Sequence, residues 1–172
     1  YFIDDRKSKG LDTYILGLMG DQGGGKTSLS TVLDICLREL GYRAKKFSVD
    51  DFYLSNEDRL KLAERYQDNP FYQISRGLPG THRIDELVRV LGMAKEGRNF
   101  DIPIFDKSLH NGRGDITDQV INVYDVQDFV ICEGWALTIP YVEPQEFIRV
   151  MEENHYIERI FNELDPEHKH FK

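Results

Sequence analysis

The stretch Gly20-Asp21-Gln22-Gly23-Gly24-Gly25-Lys26-Thr27 decides the fold of this 172-residue chain. It matches the pattern G-x-x-x-x-G-K-[ST], in which glycines let consecutive backbone N–H groups turn inward around a phosphate. The preceding run, Thr13 to Met19, is almost wholly apolar, as expected of a strand buried on both faces. The following segment, Thr27 to Leu40, has apolar residues at helical spacing, and Gly41 is a typical stop signal. A strand, a glycine-rich turn and a helix in this order predict a phosphate-binding loop.

The residue types in this loop suit a nucleoside triphosphate bound with Mg²⁺. The helix N-terminus adds positive potential, the Lys26 ammonium reaches the β- and γ-phosphates, and the Thr27 hydroxyl is a Mg²⁺ ligand. The alternative is a structural turn followed by an incidental Lys-Thr pair. We expect Lys26 to be catalytic, and the ATP phosphates to contact Gly20, Asp21, Gln22, Gly23, Gly24, Gly25, Lys26, Thr27 and Ser28.

The rest of the chain alternates short apolar runs with helical patterns, and contains no repeat or long linker. This alternation predicts a three-layer α/β/α fold with a mainly parallel sheet, built as a single phosphate-loop NTPase domain over residues 1–172. Strands are expected at Lys45 to Val49 and Phe129 to Cys132, a loop at Asn69 to His82, and helices from Ser55, from Ile84 to near Gly97, and from Gln145 to Leu164.

Two acidic positions follow predicted strands, where ligands of open α/β sheets bind. Asp50 comes directly after the second strand and is the candidate base that accepts a hydroxyl proton during phosphoryl transfer, with Asp51 as the second choice. A capping role for either residue is the alternative. Glu133 ends the third strand and resembles the acid that holds Mg²⁺ in phosphate-loop enzymes, although it could also be an exposed strand-end carboxylate. The predicted metal ligands are Thr27, Glu133 and Asp50.

Composition narrows the class of protein. The chain has 22 Lys and Arg against 30 Asp and Glu, and this net charge of −8 argues against a general nucleic-acid binder. No apolar run approaches the ~20 residues of a membrane span, and no signal peptide is visible. Cys36 and Cys132 both lie in apolar patterns, which favours a reducing compartment, and we expect a cytoplasmic protein. Organellar import of a longer precursor stays open, as does the oligomeric state.

Five short blocks in a fixed order resemble the D-glycerate 3-kinase family. More distantly, the chain is similar to uridine kinase, phosphoribulokinase and pantothenate kinase, so the expected fold is nucleoside-kinase-like. The resemblance implies ATP- and Mg²⁺-dependent phosphorylation of a small hydroxy acid, D-glycerate to 3-phosphoglycerate being the expected reaction. The blocks are Gly20 to Thr27, Val49 to Leu54, Arg76 to His82, Phe105 to Ser108 with Gly112 to Asp115, and Glu133 to Trp135.

The resemblance also assigns residues to the acceptor. It places Asp50 at the position of the base and Glu133 at that of the magnesium-associated acid. An Arg or Lys beside a hydroxyl-binding Asp would orient a carboxylate. His82 could instead cap a helix, and Asp106-Lys107 could be a solvated turn. The implied substrate-binding residues are Asp51, Tyr53, Arg76, Thr81, His82, Asp106, Lys107, Arg113 and Asp115.

Two departures from the family pattern qualify this reading. Arg83 follows His82 where relatives often have an acid, which could alter the choice of acceptor. Family members also continue well past the equivalent of Lys172, so we expect the chain to lack C-terminal strands and an arginine-bearing lid. The alternatives are a kinase of a pantothenate-like or nucleoside-like acceptor, and a non-catalytic ATP-binding or regulatory protein. A GTPase is disfavoured because no guanine-reading N-K-x-D segment occurs.

Overall fold

The computed structural model describes residues 1–73, 76–78, 80–137, 143, 145, 146 and 149. The chain divides into two units, Tyr1–Thr138 and Ile139–Lys172, and every element with described bounds belongs to the first unit. The predicted helix from Gln145 to Leu164 lies outside the described residues, apart from three helical positions at 145, 146 and 149. The single domain over residues 1–172 stays a prediction.

The first unit alternates helices and strands, as the sequence predicts. No helix with described bounds is long and apolar enough to cross a membrane. Short 3₁₀ turns at Val49–Phe52 and Pro70–Gln73 join the main elements. The elements are α1 (Phe2–Ser8), β1 (Tyr14–Met19), α2 (Lys26–Glu39), β2 (Ala44–Ser48), α3 (Asn56–Arg65), α4 (Ile84–Lys95), β3 (Phe100–Asp106), β4 (Asp115–Val123) and β5 (Phe129–Gly134).

A three-stranded parallel sheet in the order β1-β5-β2 forms the centre of the unit. In its register Met19 lies opposite Gly134, and Ser48 lies opposite Glu133. The carboxyl ends of all three strands therefore meet at one edge, where α2 also begins. This arrangement confirms the predicted α/β fold with a parallel sheet, and it places the phosphate loop beside the acids that follow β2 and end β5.

Helices cover both faces of the sheet, which gives the predicted three layers. On one face, Leu37 of α2 packs with Phe129 and Ile131 of β5, and α1 adds partly buried apolar residues. On the other face, Val90 of α4 belongs to a cluster with Val130 of β5 and apolar residues of β3 and β4. Burial of β5 is complete along its length, because it is the central strand between two apolar layers.

Helix α2 has the predicted period but leaves part of its apolar stripe exposed. Leu29, Val32 and Leu40 are at least half exposed, and Cys36 is exposed as well. The helix instead buries Leu37 together with two polar residues, Ser30 and Asp34. The Ser30 hydroxyl donates to the Thr27 carbonyl (3.0 Å) and Asp34 pairs with Arg38, so both polar groups are satisfied in the interior.

The antiparallel hairpin of β3 and β4 was not anticipated from the sequence. Pro103 breaks the strand pattern of β3, and proline is normally confined to sheet edges and bulges. The pairing shifts register between Pro103 and Phe105, so the proline sits at an irregularity that tolerates its missing N–H. The Gly112-Arg113-Gly114 turn, with both glycines at positive φ, was the available signal for a reversal of the chain here.

Candidate active site

The phosphate loop closes on itself through its glycines and Lys26. Gly23 and Gly25 have φ values of 73° and 79°, a conformation that side-chain-bearing residues rarely adopt. The Gly24 N–H donates to the Asp21 carbonyl (3.0 Å), and the Lys26 ammonium donates to the same oxygen (2.7 Å). Because α2 starts at Lys26, its unpaired N–H groups and this ammonium lie together, as anion binding requires.

Thr27 and Glu133 form the link between this loop and the central strand. The Thr27 hydroxyl donates to Oε1 of Glu133 (2.8 Å), which is only 6% exposed. The other oxygen, Oε2, is buried and has no hydrogen-bond partner among the described residues. A buried carboxylate oxygen without a donor, beside a hydroxyl, fits a divalent cation that prefers oxygen ligands. No group of three or more His, Cys, Asp or Glu that could hold a metal occurs among the described residues. A Mg²⁺ ion that is bound mainly by nucleotide phosphates needs only one or two oxygen ligands from the protein.

The structure separates the two neighbouring acids after β2. The Asp51 carboxylate accepts the Ser48 N–H (2.9 Å) while the Ser48 hydroxyl accepts from the Asp50 N–H (3.1 Å), a capping arrangement that fixes the turn. Burial raises the pKa of Asp51. The Asp50 carboxylate instead receives the Lys107 ammonium (2.7 Å) at the wall of the cleft. Both acids therefore lie at the site, and Asp50 is the one whose side chain is not used by its own turn.

Tyr53 and His82 are stacked beside Asp50. Their ring centroids are 4.1 Å apart, and Tyr53 is 3% exposed. Burial and the nearby Asp50 charge raise the pKa of Tyr53, while burial lowers the pKa of His82. Arg83 is the position at which the sequence departs from the family pattern. Its guanidinium makes local contacts, because it pairs with Glu86 and donates to the Tyr53 carbonyl.

Arg59 is an important positioning residue that sequence reasoning missed. It is 6% exposed and donates to the carbonyls of Leu54 (2.5 Å), Arg113 (2.8 Å) and Gly114 (2.6 Å). Its guanidinium also lies 5.1 Å from the ring centre of Phe105. Arg59 thereby ties the turn before β4 to the segment after Asp50. An arginine on the polar helix α3 carries no sequence signal that distinguishes it from a solvated one.

Several predicted acceptor residues are engaged in local structure. The Thr81 hydroxyl donates to the Leu78 carbonyl (2.6 Å). Asp106 accepts from the N–H and hydroxyl of Ser108. Asp115 accepts from the Asn56 and Ile116 N–H groups and bonds His110. Burial works against ionisation of Asp115, but these bonds outweigh it and lower its pKa. Their roles toward an acceptor stay predictions.

A cleft of about 900 Å³ is lined by half of the predicted site residues. Arg76 lies at its wall and donates to the Gly112 carbonyl (2.5 Å). Outside the lining are Gly20, Asp21, Gly24, Gly25, Ser28, Thr81, His82, Asp106, Arg113 and Asp115. The predicted residues that line the cleft are Gln22, Gly23, Lys26, Thr27, Asp50, Asp51, Tyr53, Arg76, Lys107 and Glu133.

Comparison with known proteins finds kinases among the relatives of this chain. A search of protein-family models found no match. The chain is 39% identical over 130 residues to the fission yeast (Schizosaccharomyces pombe) protein "Uncharacterized kinase mug58", covering 72% of this chain and 46% of that protein. It is 31% identical over 129 residues to the chloroplastic D-glycerate 3-kinase of Arabidopsis thaliana, covering 72% of this chain and 28% of that protein.

The fold matches a solved structure of the same group. A D-glycerate 3-kinase from Cryptococcus neoformans superposes with a TM-score of 0.70 and 31% identity, over 84% of this chain and 50% of that one. The chain thus spans half or less of the length of each of these relatives. A uridine kinase of Macrococcus caseolyticus and a pantothenate kinase of Streptococcus gordonii align at 26% and 28% identity. The chain belongs to the phosphate-loop kinase family that includes D-glycerate 3-kinase and mug58 and is related to the uridine and pantothenate kinases.

Proposed function

We propose that the protein is an ATP-dependent small-molecule kinase that transfers the γ-phosphate to a hydroxyl of a small hydroxy acid, D-glycerate being the foremost acceptor. One observation carries the proposal: the phosphate-loop residues Lys26 and Thr27 share a single cleft with Glu133 and with Asp50. The phosphate-binding residues and the candidate base would therefore both be within reach of one acceptor bound in this cleft.

Asp50 is proposed to accept the proton of the acceptor hydroxyl. Its carboxylate is held by the Lys107 ammonium, and Ser48 fixes its backbone, so the group is oriented before an acceptor arrives. The buried Tyr53 forms the wall beside it and limits access of water. Lys26, at the start of α2, stabilises the charge that develops on the transferred phosphoryl group.

Thr27 and Glu133 are the residues proposed to hold Mg²⁺. The cation would neutralise charge on the β- and γ-phosphates. Because Thr27 bonds Oε1, Oε2 of Glu133 has no described hydrogen-bond partner and would be available to the cation. Glu133 lies on the fully buried strand β5, so its position is fixed by the sheet.

An anionic acceptor suits the cations on the opposite wall. Arg76 and Lys107 both line the cleft near Asp50, and the only described partner of Arg76 is a neutral backbone carbonyl. A carboxylate would be a stronger partner for a guanidinium than that carbonyl. A hydroxy acid offers the two groups that this arrangement accommodates, a carboxylate for the cations and a hydroxyl for Asp50.

The test is phosphoryl transfer from labelled ATP and Mg²⁺ to a panel of hydroxy acids, nucleosides and pantothenate. We expect transfer to a hydroxy acid, with D-glycerate giving the highest kcat/KM. The matched control is Asp50→Asn, which retains the size of the side chain and should retain ATP binding without transfer. Transfer to a nucleoside or pantothenate alone would replace the proposed acceptor class. ATP binding without transfer to any compound would contradict a catalytic role.

A further inference from the structure

Gly134 ends strand β5, between the proposed magnesium ligand Glu133 and the cleft-lining Trp135. Its φ is not positive, unlike that of Gly23 and Gly25 in the phosphate loop, so its backbone conformation does not require a glycine. A side chain at this position is therefore limited by the space around it.

The turn that carries Asp50 fills the space beside Gly134. A Cβ atom at position 134 would lie 2.7 Å from Cγ2 of Val49, 3.1 Å from Cβ of Val49 and 3.2 Å from Cγ of Leu137. Carbon atoms in contact are normally about 3.5–4.0 Å apart, so the shortest of these approaches is a clash. Val49 is the first residue of the 3₁₀ turn Val49–Phe52, and Asp50 follows it directly. The absence of a side chain at Gly134 thus allows this turn to lie against the end of β5.

Val49 cannot relieve such a clash by changing its rotamer alone. Its side chain is β-branched, and side chains of this kind have few accessible χ1 angles. Rotation about χ1 would also leave its Cβ in place, 3.1 Å from the added atom. Val49 packs against the apolar cluster that contains Phe52, the fully buried last residue of the turn. Only a movement of the backbone would therefore make room for a side chain at position 134.

The strand is the more rigid partner in this contact. β5 is paired on both sides, and all of its residues are buried. The turn is joined to the end of β5 through Ser48, whose hydroxyl accepts the Asp50 N–H (3.1 Å) and donates to the Glu133 carbonyl (3.5 Å). A side chain at position 134 would therefore displace the turn rather than the strand, and Asp50 would move relative to Glu133.

We propose that Gly134 is a positioning residue for phosphoryl transfer, which lets the turn of Asp50 pack against the end of β5 and so sets the distance between Asp50 and Glu133. This inference rests on the proposed function, in which Asp50 is the base and Glu133 holds Mg²⁺. A base must lie within hydrogen-bond reach of the proton that it accepts, so a displacement of about 1 Å is enough to slow transfer about 10²-fold. Binding of the nucleotide phosphates by Lys26 and the start of α2 does not depend on this contact.

Gly134→Ala tests the proposal, with Gly17→Ala as the matched control. Gly17 lies in β1 of the same sheet, opposite Cys132, and a Cβ atom there would meet no atom within 4 Å outside its chain neighbours. We expect Gly134→Ala to lower kcat about 10²-fold with little change in KM for ATP, and Gly17→Ala to behave as wild type. Val49→Ala removes the atom of the 2.7 Å contact, so its addition to Gly134→Ala should recover about tenfold of the loss. Equal kcat values in the two glycine variants, or no recovery in the double variant, would overturn the proposal.

A second measurement does not depend on phosphoryl transfer. The NMR resonance of the Asp50 carboxyl carbon, assigned through its loss in Asp50→Asn, reports the surroundings of that group. We expect the resonance to move in Gly134→Ala, to stay in place in Gly17→Ala, and to return toward its wild-type position when Val49→Ala is added. An unmoved resonance in Gly134→Ala would overturn the proposal. A wild-type chain that transfers no phosphate would instead contradict the proposed function, and the Asp50 resonance would still decide the role of Gly134.

Val49→Ala on its own covers the case in which Gly134→Ala folds poorly. It loosens the same contact by removing atoms, and its control is Val123→Ala, which truncates a buried valine of the same apolar cluster. We expect Val49→Ala to move the Asp50 resonance and to lower kcat about threefold, because the turn is no longer held against Gly134. Val123→Ala should leave both unchanged. Equal effects of the two valine variants would contradict the positioning role.

Discussion

The two walls of the cleft achieve their geometry by different means. The phosphate side consists of Lys26, Thr27, Asp50 and Glu133, which all lie at the carboxyl ends of parallel strands or at the start of α2. Strand pairing alone brings these residues together, because β5 pairs with both β1 and β2. Their functional atoms can therefore remain available for a ligand, as the unpartnered Oε2 of Glu133 illustrates.

The acceptor side, formed by residues 53–54, 76–78, 80–82 and 106–115, has less regular strand pairing: an isolated bridge joins Tyr53 to His82, and Asp106 pairs with Asp115 at the end of the hairpin. Side chains that bond backbone also hold its segments, with Arg59 contacting three carbonyls and Asp115 accepting two N–H groups. The turn at 109–112 even places His110 and Asn111 at φ values of 52° and 57°. The difference teaches that loops require dedicated polar residues for positioning, whereas a parallel sheet positions its strand ends through its own ladder.

The largest expected effect comes from removing the cation of the phosphate side. Lys26→Ala should lower kcat/KM for phosphoryl transfer by about 10³-fold, because charge on the transferred group loses its closest ammonium. Transfer of labelled phosphate and binding of a fluorescent ATP analogue measure the effect. Lys7→Ala, an exposed lysine of α1, is the control and should behave as wild type. ATP binding of normal strength in Lys26→Ala would refute the assignment of the loop.

The two acids after β2 should differ strongly in their importance for catalysis. Asp50→Asn should lower kcat by roughly 10²–10³-fold with little change in ATP affinity, since it removes the proposed base. Asp51→Asn should have a much smaller effect, because the amide oxygen can still accept the Ser48 N–H. Steady-state kinetics of both variants provide the measurement. Equal losses in the two variants would show that the distinction drawn between them is wrong.

Arg59→Leu should damage the acceptor side while sparing the phosphate side. Three carbonyls lose their donor, and we expect the free energy of unfolding to fall by about 3 kcal/mol. Urea unfolding measures this loss, and Arg98→Leu, an exposed arginine, should cost no more than about 0.5 kcal/mol. ATP affinity at a temperature where the variant is folded should stay near the wild-type value. A parallel loss of ATP affinity would mean that the two sides are not positioned independently.

The smallest effect concerns the pH dependence of stability on the acceptor side. Burial lowers the pKa of His82 below its ordinary value of 6.5, so the unfolded chain takes up a proton that the folded chain resists. The contribution of neutral His82 to the free energy of unfolding is complete above pH 6.5. It is lost as the pH falls toward the pKa of His82 in the folded chain, and the free energy of unfolding then changes by at most about 1.4 kcal/mol per pH unit. His82→Phe preserves the ring stacking on Tyr53 and should flatten this slope. Chemical denaturation between pH 5.5 and 7.5, a range of about one unit either side of the ordinary histidine pKa, would detect it. An unaltered slope would exclude His82 as its source.

Local sequence patterns predicted most of the central fold. Apolar runs located β1, β2 and β5 to within a residue or two, and Gly41 and Ser55 marked a helix end and a helix start as the structure has them. These features depend on neighbours in the chain, so they can be inferred without a fold. The hairpin of β3 and β4 depends on pairing between distant segments and was missed.

The sequence by itself determined the phosphate side of this protein. A glycine-lysine-threonine loop between a strand and a helix, with acids at two further strand ends, can be assembled in few ways, because parallel strands must end at one edge. Only the tertiary structure decided the acceptor side. It identified Arg59 as the residue that positions the turn before β4, and on the phosphate side it distinguished Asp50 from Asp51. These outcomes depend on burial and hydrogen bonds between segments far apart in the chain, and no local pattern encodes them.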